Sequence, residues 1–273
     1  MDKEAYLINK LDSKYIGDDA AVVGNKLYSM DAFFEDVHFK REWMSMRQIG
    51  RKAMLVNISD AIAMNAEPKY ALVTLALPKE ITTGEIDELL ASLENTAKEF
   101  NCEIIGGDTI AGDNLHISIT IISESKNPLL RSGVKESDLL AYTGSLGESK
   151  RDLEALFRGE TISAKSRFYE PKLRRDFMRQ VREYLHSGMD ISDGLFCDTN
   201  KLLATQGFTM SLFEEISDEV GKSGEEYELL ISFSSKNLDK VKMIAKQTSV
   251  PLTVFAKVVK DNGVLFECKN HHF

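Results

Sequence analysis

Segments with a two-residue apolar period alternate with segments of 3.6-residue period along the whole chain, and this restricts the fold to a mixed class, α/β or α+β. Residues 70–77 read as a buried strand stopped by Pro78. Thr82 and Glu85 have capping-box spacing, and Ile86, Leu89, Leu90, Leu93 and Ala97 then follow at helical intervals. Leu115, Ile117, Ile119 and Ile121 alternate with His116, Ser118 and Thr120, as in a strand with one polar side. A helix over 46–66, closed by Pro68, precedes them, and a short strand at Ile104-Ile105 runs into a Gly106-Gly107 turn. Further on, strands are expected at 139–142, 208–213, 227–233, 252–259 and 264–266. Helices are expected at 149–157, 171–184 (Pro171 in the first turn), 195–203 and 238–245. The polar stretch 123–128 is the clearest seam, so two lobes are expected, 1–124 and 125–273.

Composition removes several function classes. Lys+Arg number 34 and Asp+Glu 43, a net charge of −9. A surface that acidic repels phosphate backbones, so no nucleic-acid partner is expected. No apolar run is long enough to span a bilayer, and the charged start Met1-Asp2-Lys3-Glu4 lacks the apolar core of a secretory signal. Cys102, Cys197 and Cys268 are odd in number and far apart, which suggests neither a disulfide framework nor a zinc knuckle. Hence a cytoplasmic protein without a membrane partner is expected.

The chemistry is carried by acidic residues set beside Gly, Ser or Ala next to apolar segments. They are Gly17-Asp18-Asp19-Ala20, Ser29-Met30-Asp31, Asn57-Ile58-Ser59-Asp60, Gly106-Gly107-Asp108-Thr109 and Asp190-Ile191-Ser192-Asp193-Gly194. Each alone could cap a turn or a helix. Together Asp18, Asp31, Asp60, Asp108, Asp190 and Asp193 are expected where strand ends or helix starts meet loops, which is where α/β folds bind ligands. Two carboxylates about 5 Å apart repel by roughly 3 kcal/mol at an effective dielectric near 20, so a converging set requires cations. Oxygen donors without a His or Cys set favour Mg²⁺, which takes few carboxylates per ion and completes its shell with water and phosphates. Several ions and a polyphosphate substrate are therefore implied. No Walker-type loop and no protein-kinase motif set occurs, so metals and backbone amides must hold the phosphates.

In order along the chain, these motifs resemble the thiamine-monophosphate kinase family, in the superfamily of aminoimidazole ribonucleotide synthetase and selenophosphate synthetase. The resemblance rests on residues 17–23, Asp31 with 35–39, 57–66 with Pro68, and Gly106-Gly107-Asp108-Thr109. It continues through Arg131-Ser132-Gly133 with Asp138, 143–147, 190–195, 224–230 and the terminal His272-Phe273. It implies ATP-dependent phosphorylation of thiamine monophosphate to thiamine diphosphate by direct in-line transfer with several Mg²⁺ ions. It also implies a two-lobed fold: an N-terminal lobe whose sheet forms a barrel across a homodimer, and a C-terminal α/β lobe that completes the site.

By the same resemblance Asp18, Ser29, Asp31, Asp60, Asp108, Asp190 and Asp193 look like metal ligands. Gly107, Asp108, Arg131 and Ser192 look like nucleotide contacts, and His38 and Glu225 look like contacts to the thiamine side. Asp60, Asp193 and Arg131 are the expected catalytic groups, and Phe266 is a candidate cover for the substrate ring. Met30 stands where the family more often has a hydroxyl residue, and Glu226 stands where it usually has Asp. Trp43 is expected to pack between the lobes, Met44, Met46, Met54 and Met64 in the core or at a dimer interface, and His116 on a polar strand face. The rival functions are another ATP-dependent synthetase of the superfamily, a non-catalytic metal-binding module and an inactive dimeric scaffold.

Overall fold

The computed structural model describes residues 3–8, 10–261 and 263–268. The terminal His272-Phe273 lies outside the described residues. After a short helix α1 (Lys3–Ile8), the first half contributes β1 (Ala21–Val23), β2 (Lys26–Phe34), α2 (Met46–Ala63) and β3 (Glu67–Pro78). It continues with α3 (Thr83–Glu99), β4 (Glu103–Gly112) and β5 (His116–Glu124). The second half contributes β6 (Asp138–Thr143), α4 (Glu148–Phe157), α5 (Arg175–Val181), β7 (Ser187–Asp190) and α6 (Leu195–Ala204). It ends with β8 (Thr209–Leu212), α7 (Asp218–Gly221), β9 (Leu229–Ser234), α8 (Leu238–Gln247) and β10 (Leu252–Val259).

Two mixed layers result. The first sheet runs β1-β2-β5-β3-β4, antiparallel except where β3 pairs with β4. Its strand β5 alternates as anticipated: Ile117, Ile119 and Ile121 are fully buried beneath α2. The opposite face carries Tyr28, Met30, Tyr70, Leu72 and Ile110, all exposed. The second sheet runs β7-β9-β6-β10-β8, wholly antiparallel. Both of its faces are covered. Leu139, Ala141, Ile231 and Phe233 pack with α5 and α8 residues, while Leu140, Leu230, Met189 and Ile191 pack with α6 residues. The larger core cluster runs across both halves. Trp43 bridges them, meeting Phe157 edge-on at 5.0 Å and Phe168 at 6.4 Å. Met44, Met46, Met54 and Met64 are core residues.

Helix ends follow local chemistry. Ser45 with Gln48 starts α2 by a reciprocal cap, and Thr82 with Glu85 does the same for α3. Elsewhere tertiary contacts override the local pattern. Gly106 and Gly107 do not turn the chain; they lie inside β4, at φ +154°, where a bulge shifts its register against β3. The helix expected from Pro171 begins only at Arg175. The expected strand at 264–266 reduces to a single bridge between Val264 and Met210. Cys197 and Cys268 form a disulfide, contrary to the expectation from spacing. Their 71-residue separation hides the fact that the chain near Phe266 folds back over α6.

Candidate active site

A cavity of about 620 Å³ lies where β2, α2 and β7 meet and the 131 and 192–193 loops approach them. Helix α2 organises it with one short motif. Asn57 is 1 % exposed, and its Oδ1 accepts the Asp31 amide at 2.9 Å while its Nδ2 donates to Ala53 O. Ser59 Oγ donates to Asp190 Oδ2 at 2.6 Å. One helix thus pins β2 on one side and β7 on the other, and Asp60, next along it, lines the cavity between them.

The loop before β1 adds Asp18 and Asp19. Asp18 Oδ1 accepts the Arg131 amide at 2.7 Å. Asp19 holds the Arg131 guanidinium, with Nε at 2.8 Å, and its other oxygen accepts the Asp190 amide at 3.3 Å. Asp193 opens the turn into α6. Its carboxylate pairs with Lys201, and its amide donates to the buried Asp198 at 3.0 Å. His38 Nδ1 accepts the Phe34 amide at 3.0 Å, which fixes the ring at the cavity edge beside Phe33. Ser192, Glu225 and Tyr227 complete the wall.

The carboxylates perturb one another as a crowded set must. Burial, then the charges of Asp19 and Asp193, push Asp31 up to about 6. Burial and Asp19 push Asp190 up to about 8, against the Ser59 hydroxyl, which acts the other way. Asp60 is raised well above the usual carboxylate range by burial and by Asp31, Asp190 and Asp19. Burial also raises Asp19, although Arg131 opposes the shift. Strong perturbation concentrated in one cleft marks a functional site. The donor set is suited to hard divalent cations, which would relieve the repulsion that Arg131 and Lys201 leave. Among the described residues no three His, Cys, Asp or Glu side chains could hold an ion by themselves.

Of the residues singled out from sequence, Asp18, Asp31, Asp60, Arg131, Asp190, Ser192, Asp193, His38 and Glu225 all line this one cavity. They do not all sit at element ends: Asp31 is within β2 and Asp60 within α2. Ser29 is buried on β2 and is not part of the lining, whereas Met30 is. Gly107 and Asp108 are elsewhere. Asp108 pairs with Thr74, whose neighbours Val73 and Leu75 are the buried ones, so it lies on the exposed face of the sheet. Phe266 is also away from the cavity, stacked on Phe196 at 4.0 Å. Asp19, Lys201, Tyr227 and the buried Lys52 behind Glu225 escaped the sequence reading. Asp19 carried a signal, as the second half of the Asp18-Asp19 pair, and Tyr227 lay within the 224–230 stretch of the resemblance.

Comparison with known proteins agrees with this architecture. Residues 17–124 match the family model described as AIR synthase related protein, N-terminal domain. A thiamine-monophosphate kinase of Aquifex aeolicus is 31% identical over 235 residues, covering 81% of this chain and 76% of that protein. The Bacillus subtilis enzyme is 30% identical over 269 residues, covering 87% and 83%. A solved Aquifex aeolicus thiamine monophosphate kinase superposes with a TM-score of 0.84 at 25% identity, covering 98% of both chains. A structure described as AaThiL complexed with AMPPCP and TMP gives 0.85 at 26% identity, covering 96% of this chain and 91% of that one. A chain of a HypE–HypF complex, at 15% identity and TM-score 0.80, shares the fold. With relatives at this identity matched across both sheets, the chain belongs to the thiamine-monophosphate kinase family.

Proposed function

We propose that this kinase transfers the γ-phosphoryl group of ATP directly, in line, to the phosphate of thiamine monophosphate, giving thiamine diphosphate with several Mg²⁺ ions in the site. The observation that carries this is that Asp18, Asp19, Asp31, Asp60, Asp190 and Asp193 line one cavity together with Arg131 and Lys201. The acceptor phosphate is already an anionic nucleophile and needs no strong base. The barrier is repulsion between two phosphates and the loss of alignment freedom. Mg²⁺ held by Asp18, Asp31, Asp60, Asp190 and Asp193 would supply the charge neutralisation between donor and acceptor.

The protein's own groups do the rest. Arg131, fixed by Asp19, directs positive charge at the phosphates, and Ser192 contacts the nucleotide. His38 and Glu225 contact the thiamine moiety on the far wall. The exposed apolar face of the first sheet pairs with a second copy, closing a barrel, and Asp108 on that face, with the adjacent Gly107 of β4, acts at the second copy's cavity. The lobes 1–124 and 125–273 serve dimerisation and site completion respectively, in the cytoplasm. Coupled assay of ATP turnover over a panel of acceptors tests the reaction. Thiamine monophosphate should activate turnover alone, and Asp60→Asn should lower kcat by about 10²-fold or more with an unchanged fold. Turnover that ignores thiamine monophosphate would end this reading.

A further inference from the structure

Lys52 lies on α2, yet it is completely sealed from solvent. Its Nζ is 2.7 Å from Glu225 Oε2 and sits 4.1 Å from the Phe168 ring centroid and 5.7 Å from that of Phe33. A buried lysine is expensive to desolvate, and a hydrophobic residue of the same size usually serves stability as well or better. Its presence therefore calls for another reason.

Glu225 supplies one. Its backbone adopts φ +54°, unusual for a non-glycine residue, and is tied on both sides. The amide donates to Ser192 O at 2.7 Å and the carbonyl accepts from Ser149 Oγ at 3.1 Å. Only the side-chain torsions stay free, and the Lys52 ammonium fixes those. Glu225 remains 27% exposed and lines the cavity, so one carboxylate oxygen is held from behind while the group faces the ligand space. The bond also runs from the first half of the chain to the second, which ties the far wall to the same helix that carries Asn57, Ser59 and Asp60.

We propose that Lys52 is a positioning residue for the acceptor: it clamps Glu225 across the groove in the orientation that binds the cationic, non-phosphate end of thiamine monophosphate. This rests on the role proposed above for Glu225. The experiment measures KM for thiamine monophosphate, KM for ATP, kcat and Tm in the full-length chain for Glu225→Gln, Lys52→Met, their double variant and Lys52→Gln. Glu225→Gln and Lys52→Met should each raise KM for thiamine monophosphate about tenfold, with KM for ATP within about twofold. The double variant should be no worse than the larger single, because both remove one shared interaction. Lys52→Gln, which retains a donor, should fall between Lys52→Met and the unaltered enzyme. A lowered Tm with unchanged KM for thiamine monophosphate in Lys52→Met would make the lysine merely structural and overturn the proposal. Should Lys52→Met not fold, Lys52→Gln decides: a rise of about threefold or more in that KM supports it, and no rise overturns it. An unchanged KM in Glu225→Gln would instead remove the underlying assignment of Glu225, whatever Lys52 does.

Discussion

Asp31, Asp60 and Asp190 keep their protons to higher pH than isolated aspartates do, and this has a measurable consequence. Their ordinary value is near 3.8, whereas burial and mutual charge raise Asp31 to about 6 and Asp190 to about 8. Between those limits the folded state binds more protons than the unfolded chain, so stability must fall as pH rises. The contribution is complete below the unfolded value and is lost through the folded ones. Cation-free protein in a chelator should therefore lose about 5 °C or more of Tm between pH 5 and pH 8 in calorimetry. Adding Mg²⁺ with a non-hydrolysable ATP analogue should flatten that slope, since bound cations remove the reason for protonation. A Tm that climbs steadily over the same range without cations would contradict the crowding of these three groups. At this scale the sequence announced which residues carry charge, through Gly-Asp and Ser-Asp pairs. It could not announce Lys52, which looks like any solvated helix lysine until Phe168 and Phe33 close over it.

Elements were legible where neighbours in sequence decide them and illegible where distant backbone does. The Thr82–Glu85 cap, the α3 stripe and the β5 alternation all depend on residues within a turn or two of each other. Strand β4 does not. Gly106-Gly107 carries the composition of a turn, but pairing with β3 holds it extended. A Cβ at Gly107 would lie 1.7 Å from Val73 O, whereas one at Gly106 would meet nothing nearer than Leu72 Cδ2 at 3.7 Å. Both glycines are at φ +154°, so either alanine pays a backbone penalty. Gly106→Ala should thus cost about 1–2 kcal/mol in denaturant melts, and Gly107→Ala about 4 kcal/mol or more, because it also separates two strands. Equal costs at the two positions would mean that β4 does not run so close to β3.

On the scale of the molecule, one chain leaves Asp108 on the far face of its first sheet from the cavity that holds Asp31. The proposed dimer makes a direct prediction. Asp60→Asn and Asp108→Asn, each inactive alone, should regain about a quarter of normal turnover when dissociated, mixed equally and reassociated. Half the dimers are then mixed, and each of those has one site free of both changes. No recovery, with mixed dimers verified by mass spectrometry, would place both aspartates in the same copy's chemistry. By itself the sequence determined the mixed class, most of the helices and strands, and the chemical character of the site, because periodicity, caps and carboxylate-rich motifs are local properties of the chain. Only the tertiary structure decided that Asp18, Asp60 and Asp193 share a cavity, that Asp108 does not join them, and that Lys52 backs Glu225. Those outcomes depend on which faces of the two sheets α2 covers, and packing between segments a hundred residues apart leaves no periodic trace in either of them.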